Sequence, residues 1–426
     1  MLAVLPGLFP STIIGVAKPL LRLHQDHRIE LDLTLQHLVS KRAVERADVI
    51  VMCHTIEPRY GEILEWAREI GRPLIYEIDD DLLDVPDIEG LAYLREPSRR
   101  AQLIACIRQA DVVRVYSPAL QQKLSEYNDN VKLVSGPLDW SLLPFDSKGF
   151  ASRSPSRSGS PTVRDESRVR IVYATGRLDD SIGAMLIAPL QEVLDRHENV
   201  ELTIWGPRHE ALAGHPRVRS LPLIRDYDRF FARFAREHFS IGLAPLPDDE
   251  FHRGKSNNKF REYASCGITG VYSDMSVYNT SVVHEVTGLL AGNDVAAWVA
   301  SIERLIVDAP LCAAIGERAR TYARTHFNEH VTDGEWLSAI EEYAARPCAV
   351  PVTPAPAGHP AVDKAFGVAR FAGRLGTKVI PVLREHGVAT TVRRAWRHGV
   401  GFGQWLSWEL HLWRLQQRVS AQRGRS

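Results

Sequence analysis

The sequence lacks most of the features that would place it outside the ordinary globular proteins. It has no C-x-x-C pair. Its five cysteines (Cys53, Cys106, Cys266, Cys312 and Cys348) are scattered, odd in number and without a histidine cluster at zinc spacing. That argues against a disulfide framework or a zinc site, and for unpaired thiols in a reducing compartment. No apolar run approaches the roughly 18–20 residues that cross a bilayer. The opening Met1-Leu-Ala-Val-Leu-Pro-Gly carries no basic residue ahead of its apolar stretch, and it reads as a first buried strand, not a signal peptide. Net charge is missing too: 52 basic side chains offset 52 acidic ones, so no overall field draws in nucleic acid. What remains is a chain of 426 residues, 45% hydrophobic and 24% charged. Two cores with an appendage, in a soluble protein of the cytoplasm, are expected.

Short apolar runs alternate with helical patterns through the first third. Strands are expected at Leu2–Leu5, Asp48–Cys53, Pro73–Ile78 and Val112–Tyr116. Helices are expected from a Ser11/Thr12 cap to Leu23, and over Glu62–Ile70, Arg100–Ala110 and Pro118–Tyr127. The pattern stops near Ser147, where Ser152-Arg-Ser-Pro-Ser-Arg-Ser-Gly-Ser-Pro-Thr162 has almost nothing to bury, so 148–167 reads as a solvated linker. It restarts with strands at Val169–Tyr173, Val200–Trp205, Ser240–Ala244 and Gly270–Ser273. Between and after them come helices at Ile182–Arg196, Asp226–Arg236, Asn258–Cys266, Ala296–Asp308, Pro310–Thr325 and about Thr332–Ala345. Such alternation predicts two doubly wound parallel sheets, with ligands beyond the carboxyl ends of the strands.

The most informative stretch is Gly254-Lys-Ser-Asn-Asn-Lys-Phe-Arg-Glu-Tyr-Ala-Ser-Cys-Gly267. Ser256, Asn257 and Asn258 are N-cap types, a helix opens after them, and Gly267 ends it. A helix start offers unsatisfied N–H groups and a positive dipole end, which suit a phosphate. Lys255 and Lys259 would add charge there, and Glu262, one turn further in, could accept from a ribose diol. Taken alone, the same residues also describe an exposed, well-capped helix with surface lysines.

This stretch resembles the donor-binding segment of GT-B glycosyltransferases of the group 1, family 4-like type. Several neighbours share the likeness: Ile241-Gly-Leu-Ala-Pro-Leu246 before it, Ser273, Tyr278 and Val286-Thr-Gly-Leu-Leu290 after it, and Val172-Tyr-Ala-Thr-Gly-Arg177 at the start of the second domain. Leu74-Ile-Tyr-Glu-Ile-Asp-Asp-Asp-Leu82 is similar to a segment of polysaccharide-assembly members. The resemblance covers roughly residues 1–346. It implies a Rossmann-like acceptor domain at 1–147, a Rossmann-like donor domain at 168–331 and a helix at 332–346 crossing back, around a central cleft. Glu262 would bind the donor ribose and Arg177 the diphosphate, with Gly176, Ser256, Asn257 and Asn258 on the donor side. The first acid of the family's E-x7-E pattern falls on Gly254, and the lysine expected after Arg177 is replaced by Asp179, Asp180 and Ser181, so Lys255 or Lys259 would stand in.

The resemblance implies transfer of a sugar, hexosyl or related, from a nucleotide sugar to a hydroxyl. Retention is expected, with Arg177, Lys255 and Lys259 stabilising charge on the leaving diphosphate. A glycan or lipid-linked acceptor of surface-polysaccharide or glycolipid assembly is the expected partner, and no metal, cofactor or nucleic acid is. His54, Asp79 and Asp80 are assigned to the acceptor or sugar side. His54 reads equally as a core histidine, and Asp79-Asp80-Asp81 as a cap or a metal site. Asp139 reads as a turn cap. Residues 347–426 form a Pro/Ala spacer and a tail, and 361–426 hold 12 Lys and Arg against Asp363, Glu385 and Glu409. Gln404-Trp-Leu-Ser-Trp-Glu-Leu-His-Leu-Trp-Arg414, with the basic residues up to Arg425, suits either an anionic membrane face or packing on the body. An epimerase or hydrolase on the same scaffold, or a non-catalytic binding subunit, are the alternatives.

Overall fold

A computed structural model describes residues 1–87, 91–144, 168–176, 181–206 and 208–346, together with 411, 414, 415 and 419. The expected linker at 148–167 and the spacer lie outside them, as does most of the tail. The first sheet contains β1 (Leu2–Leu5), β2 (Asp32–Leu35), β3 (Ile50–Cys53), β4 (Leu74–Glu77), β5 (Val112–Val115) and β6 (Val131–Leu133). Its order is β2-β1-β3-β4-β5-β6, all parallel. The second contains β7 (Val169–Ala174), β8 (Val200–Trp205), β9 (Val218–Leu221), β10 (Ile241–Ala244), β11 (Thr269–Ser273) and β12 (Leu289–Ala291). Its order is β12-β11-β10-β7-β8-β9, again all parallel.

The expected strands form the sheet interiors, where β1, β3, β4, β5, β10 and β11 are buried along their whole length. Continuous apolar runs are what a sheet covered on both faces requires. The four edges are β2, β6, β9 and β12. β6 and β9 are covered less, and Lys132, Leu133, Arg219 and Ser220 stay exposed there, whereas β2 and β12 are mostly buried. The first helix differs from its expected start. Phe9 is the N-cap, and Thr12 lies inside, its hydroxyl accepting from the Phe9 N–H at 3.0 Å and donating to the Gly7 carbonyl at 2.9 Å. Ile13–Ala17 then winds as a π-turn, a form that recurs at functional positions.

Glu329–Ala344 is a helix whose Trp336, Ile340 and Tyr343 join Leu20, Leu33, Val49 and Ile75 in the core of the first lobe. The Trp336 indole donates to the Gly15 carbonyl at 2.8 Å. Leu415 and Val419, 0% and 4% exposed, fill the same cluster. These two apolar positions of the tail therefore pack on the body. Among the described residues no helix is long and apolar enough to cross a membrane.

The lobes are tied at a hinge. Lys18, in the Lys18–Gln25 helix, is buried and donates to Asp139 Oδ2 at 2.5 Å and to Asp228 Oδ1 at 2.7 Å. Asp139 belongs to the segment leaving the first lobe, and Asp228 to the second-lobe helix Tyr227–Phe234. Burial alone raises the Asp139 carboxyl, but Lys18 holds it below the ordinary carboxylate range. Asp139 also caps the short turn at Trp140 by accepting from the Ser141 N–H at 3.1 Å. Nearby, Arg22 makes a two-pronged contact with Asp333 at 2.8 and 2.6 Å, and Glu329 accepts from the Trp140 N–H at 2.7 Å.

Candidate functional site

In the second sheet strand order reverses between β7 and β10, and a ligand crevice is expected beyond their carboxyl ends. The turn after β7 holds Thr175 and Gly176, the latter exposed. It lies against Gly206, where a side chain would meet the Thr175 carbonyl at 2.4 Å and the backbone sits at φ +134°. Arg177, expected at the diphosphate, lies outside the described residues, so its position is not part of the geometry below.

The chain leaving β10 forms the short helix Glu250–Arg253 and then the loop that carries Lys255, Ser256 and Asn257. The Asn258–Ser265 helix follows, anchored by Tyr263, whose ring lies over Gly242 of β10 and whose hydroxyl donates to the Leu243 carbonyl at 2.8 Å. Asn257 occupies the N-cap position but does not cap with its side chain, contrary to its residue type; its amide donates to Ser281 Oγ at 2.7 Å. The first-turn N–H groups are thereby left without a side-chain cap, the condition that favours an anion at a helix start.

The two lysines flank this helix start but are not uncommitted cations. Lys259 Nζ donates to Glu262 Oε2 at 2.7 Å, and Glu262 also accepts a hydrogen bond from the Tyr227 hydroxyl. Lys255 Nζ reaches across to the first lobe and donates to Asp80 Oδ1 at 2.7 Å. Beside it the lobes are in tight contact. Ser117 Oγ donates to the Gly254 carbonyl at 2.9 Å, and a Cβ on Gly254 would lie 2.8 Å from Asp81 Cβ. Position 254 is therefore side-chain-free because the Asp79–Asp81 loop occupies that space.

Each of the three aspartates faces a basic side chain. Asp79 Oδ1 lies 2.6 Å from His54 Nε2, Asp80 pairs with Lys255, and Asp81 Oδ2 accepts from Lys123 at 2.5 Å. Among the described residues no group of three or more His, Cys, Asp or Glu side chains is placed to hold a metal ion. His54 closes β3, at the reversal point of the first sheet, with a left-handed backbone at φ 47°. Burial acts to lower its pKa, but Asp79 outweighs that and raises it above the ordinary histidine value.

Beneath this loop lies a group the motif reading passes over. Glu77, at the end of β4, is buried against Gly15. Its carboxylate accepts from Arg114 Nε at 3.3 Å and from the Tyr116 hydroxyl. Burial lifts its pKa to about 7, against the opposing pull of Arg114 and Tyr116. Lys18 and Arg261 were likewise not singled out. Both look like ordinary helix residues until their partners, more than a hundred positions away, are known.

No family model and no curated protein matches this sequence. Solved structures do. HepE of Anabaena, in complex with UDP and glucose, superposes with a TM-score of 0.56 at 15% identity, over 80% of this chain and 99% of that one. A glycosyltransferase of Rickettsia africae gives 0.57 at 12% identity, over 81% and 98%. A protein of Listeria monocytogenes assigned as a UDP-N-acetylglucosamine 2-epimerase gives 0.52 at 12%, over 80% and 96%. At such identities the likeness is one of fold, and it extends across both lobes. The chain has the GT-B architecture of two Rossmann-like lobes.

Proposed function

We propose that the chain is a glycosyltransferase that moves a sugar from a nucleotide-sugar donor to a hydroxyl of a glycan or lipid-linked acceptor. The observation that carries this is the Asn258 helix start. It has no side-chain cap, is flanked by Lys255 and Lys259, and lies where strand order reverses and the first lobe closes over the second. Donors already oriented toward a developing phosphate charge are what breaking a sugar–diphosphate bond most needs. The C–O bond of the donor breaks with its electron pair passing to the diphosphate. The acceptor oxygen bonds the anomeric carbon, and its proton leaves with the diphosphate. Retention, a role in surface-glycan assembly, a cytoplasmic location and the place of Arg177 at the diphosphate belong to the same proposal. Glu262, in this reading, meets the ribose once the nucleotide displaces part of its contact with Lys259.

A panel of nucleotide sugars, screened for the thermal transition of the full-length chain, tests this directly. One donor is expected to raise the transition, since a ligand bound only to the folded state stabilises it by mass action. That donor should then release its nucleoside diphosphate only when an acceptor is present. A panel that leaves the transition unmoved sinks the proposal. The His54–Asp79 pair above buried Glu77 also favours a second reading, an epimerase or hydrolase. Release of free sugar without acceptor would select it.

A further inference from the structure

Charge at the helix start does not come from the residues that first suggest it. Lys255 and Lys259 are each matched to a carboxylate, Asp80 and Glu262, at 2.7 Å. The cation of the same helix without such a match is Arg261, which is only 2% exposed. Its guanidinium folds back over the first turn. Nη1 donates to the Pro137 carbonyl at 2.6 Å, and Nη2 donates to the side-chain carbonyl of Asn258, the first helical residue. Both acceptors are neutral. Its Nε–H is buried and has no hydrogen-bond partner among the described residues.

The surroundings are shaped around this group. A Cβ on Gly136 would come within 2.2 Å of the guanidinium, so the segment leaving the first lobe is bare where the arginine lies flat on it. The Phe327 ring sits 5.9 Å from Cζ. The carboxylates that feel the charge, Glu262 and Asp79, are paired with Lys259 and His54. A buried cation bonded only to neutral acceptors is unfavourable unless an anion joins it.

We propose that Arg261, beside Arg177, is a cation that holds the donor's diphosphate at the start of the Asn258 helix. An anion docking there accepts from the first-turn amides and meets, in the Arg261 guanidinium, positive charge that Asp80 and Glu262 do not cancel. This rests on the donor-site reading above and names a residue on which its phosphate recognition turns.

Calorimetry with UDP and with inorganic pyrophosphate, on the full chain and its R261Q and R261K variants, decides the matter. R261Q is expected to weaken both ligands at least 30-fold, while R261K, which keeps the charge, stays within about 5-fold of wild type. Both variants lose the contacts with Pro137 and Asn258, so both should melt earlier. The melting temperature thus reports the structural part, and the difference in affinity between them reports the charge. Affinity unchanged in a folded R261Q overturns the proposal, as does equal loss in R261Q and R261K. Should R261Q fail to fold, R261K alone decides: affinity near that of wild type despite a lower melting temperature supports the proposal, and a 30-fold loss overturns it. Wild type that binds pyrophosphate but not UDP leaves Arg261 standing and removes the nucleotide reading. Wild type that binds neither removes both.

Discussion

At the hinge, Lys18 has 3% of its side chain exposed and is gripped by two carboxylates from two other segments, Asp139 and Asp228. At the mouth, Lys255 has 17% exposed and is held by a single carboxylate, Asp80, itself 37% exposed. Both contacts join the lobes and both are short. Water separates them in kind. A fully desolvated pair cannot exchange partners without leaving a bare charge inside, whereas a pair in contact with solvent can release one ion to a ligand at small cost. The hinge pairing therefore acts as structure and the mouth pairing as a contact a substrate can displace.

The largest effect expected from this contrast is at Lys18. K18M leaves Asp139 and Asp228 buried without their cation and should lower the unfolding free energy by about 3–5 kcal/mol in a urea titration. D80N at the mouth should change it by less than about 1 kcal/mol in the same assay. Equal losses would erase the distinction. The next effect is at Gly254. Adding a methyl group 2.8 Å from Asp81 Cβ forces the lobes apart locally, and G254A should lower stability by about 1–3 kcal/mol. A neutral G254A would mean that the mouth already stands open in solution.

The most gradual effect is with pH. Glu77 ionises near 7 when folded and near 4.5 as a free side chain, so between these values the folded state binds more protons than the unfolded one. Stability from this group is full below about pH 4.5 and falls as pH rises toward 7, by at most about 1.4 kcal/mol per pH unit. His54, raised by Asp79, acts in the same direction: its contribution is present below the ordinary histidine pKa and is lost as pH rises through the folded value. Urea titrations at pH 5 and pH 7 should show the wild type losing more stability across this interval than E77Q does. Parallel losses would show that Glu77 is already ionised at pH 5.

Much of this was legible beforehand. The interior strands declared themselves as apolar runs because burial on both faces demands them, and the Asn258 helix through its cap types and closing Gly267. The edge strands β6 and β9 did not, because a half-covered strand tolerates Lys132 or Arg219. The helix expected at Ile182–Arg196 is broken into Ser181–Ala184 and Ile187–Arg196, a division explained by Pro189, which has no N–H for the Met185 carbonyl and crowds that turn. Within the site, the residues around Asn258 are legible by their types, but nothing in its type singles out Arg261 inside the motif. Ser256, Asn257 and Asn258 are all cap types, yet the Asn257 amide is claimed by Ser281, 24 residues on.

What the sequence by itself determined is whatever depends on near neighbours: the alternation that builds two parallel sheets, and the loop and helix able to receive a phosphate. Only the tertiary structure decided which charges meet. Lys18 finds its carboxylates 121 and 210 positions away, and Lys255 finds Asp80 175 positions away. Those pairings follow from how two lobes close on each other, and Coulomb energy depends on separation in space, to which spacing along the chain is blind.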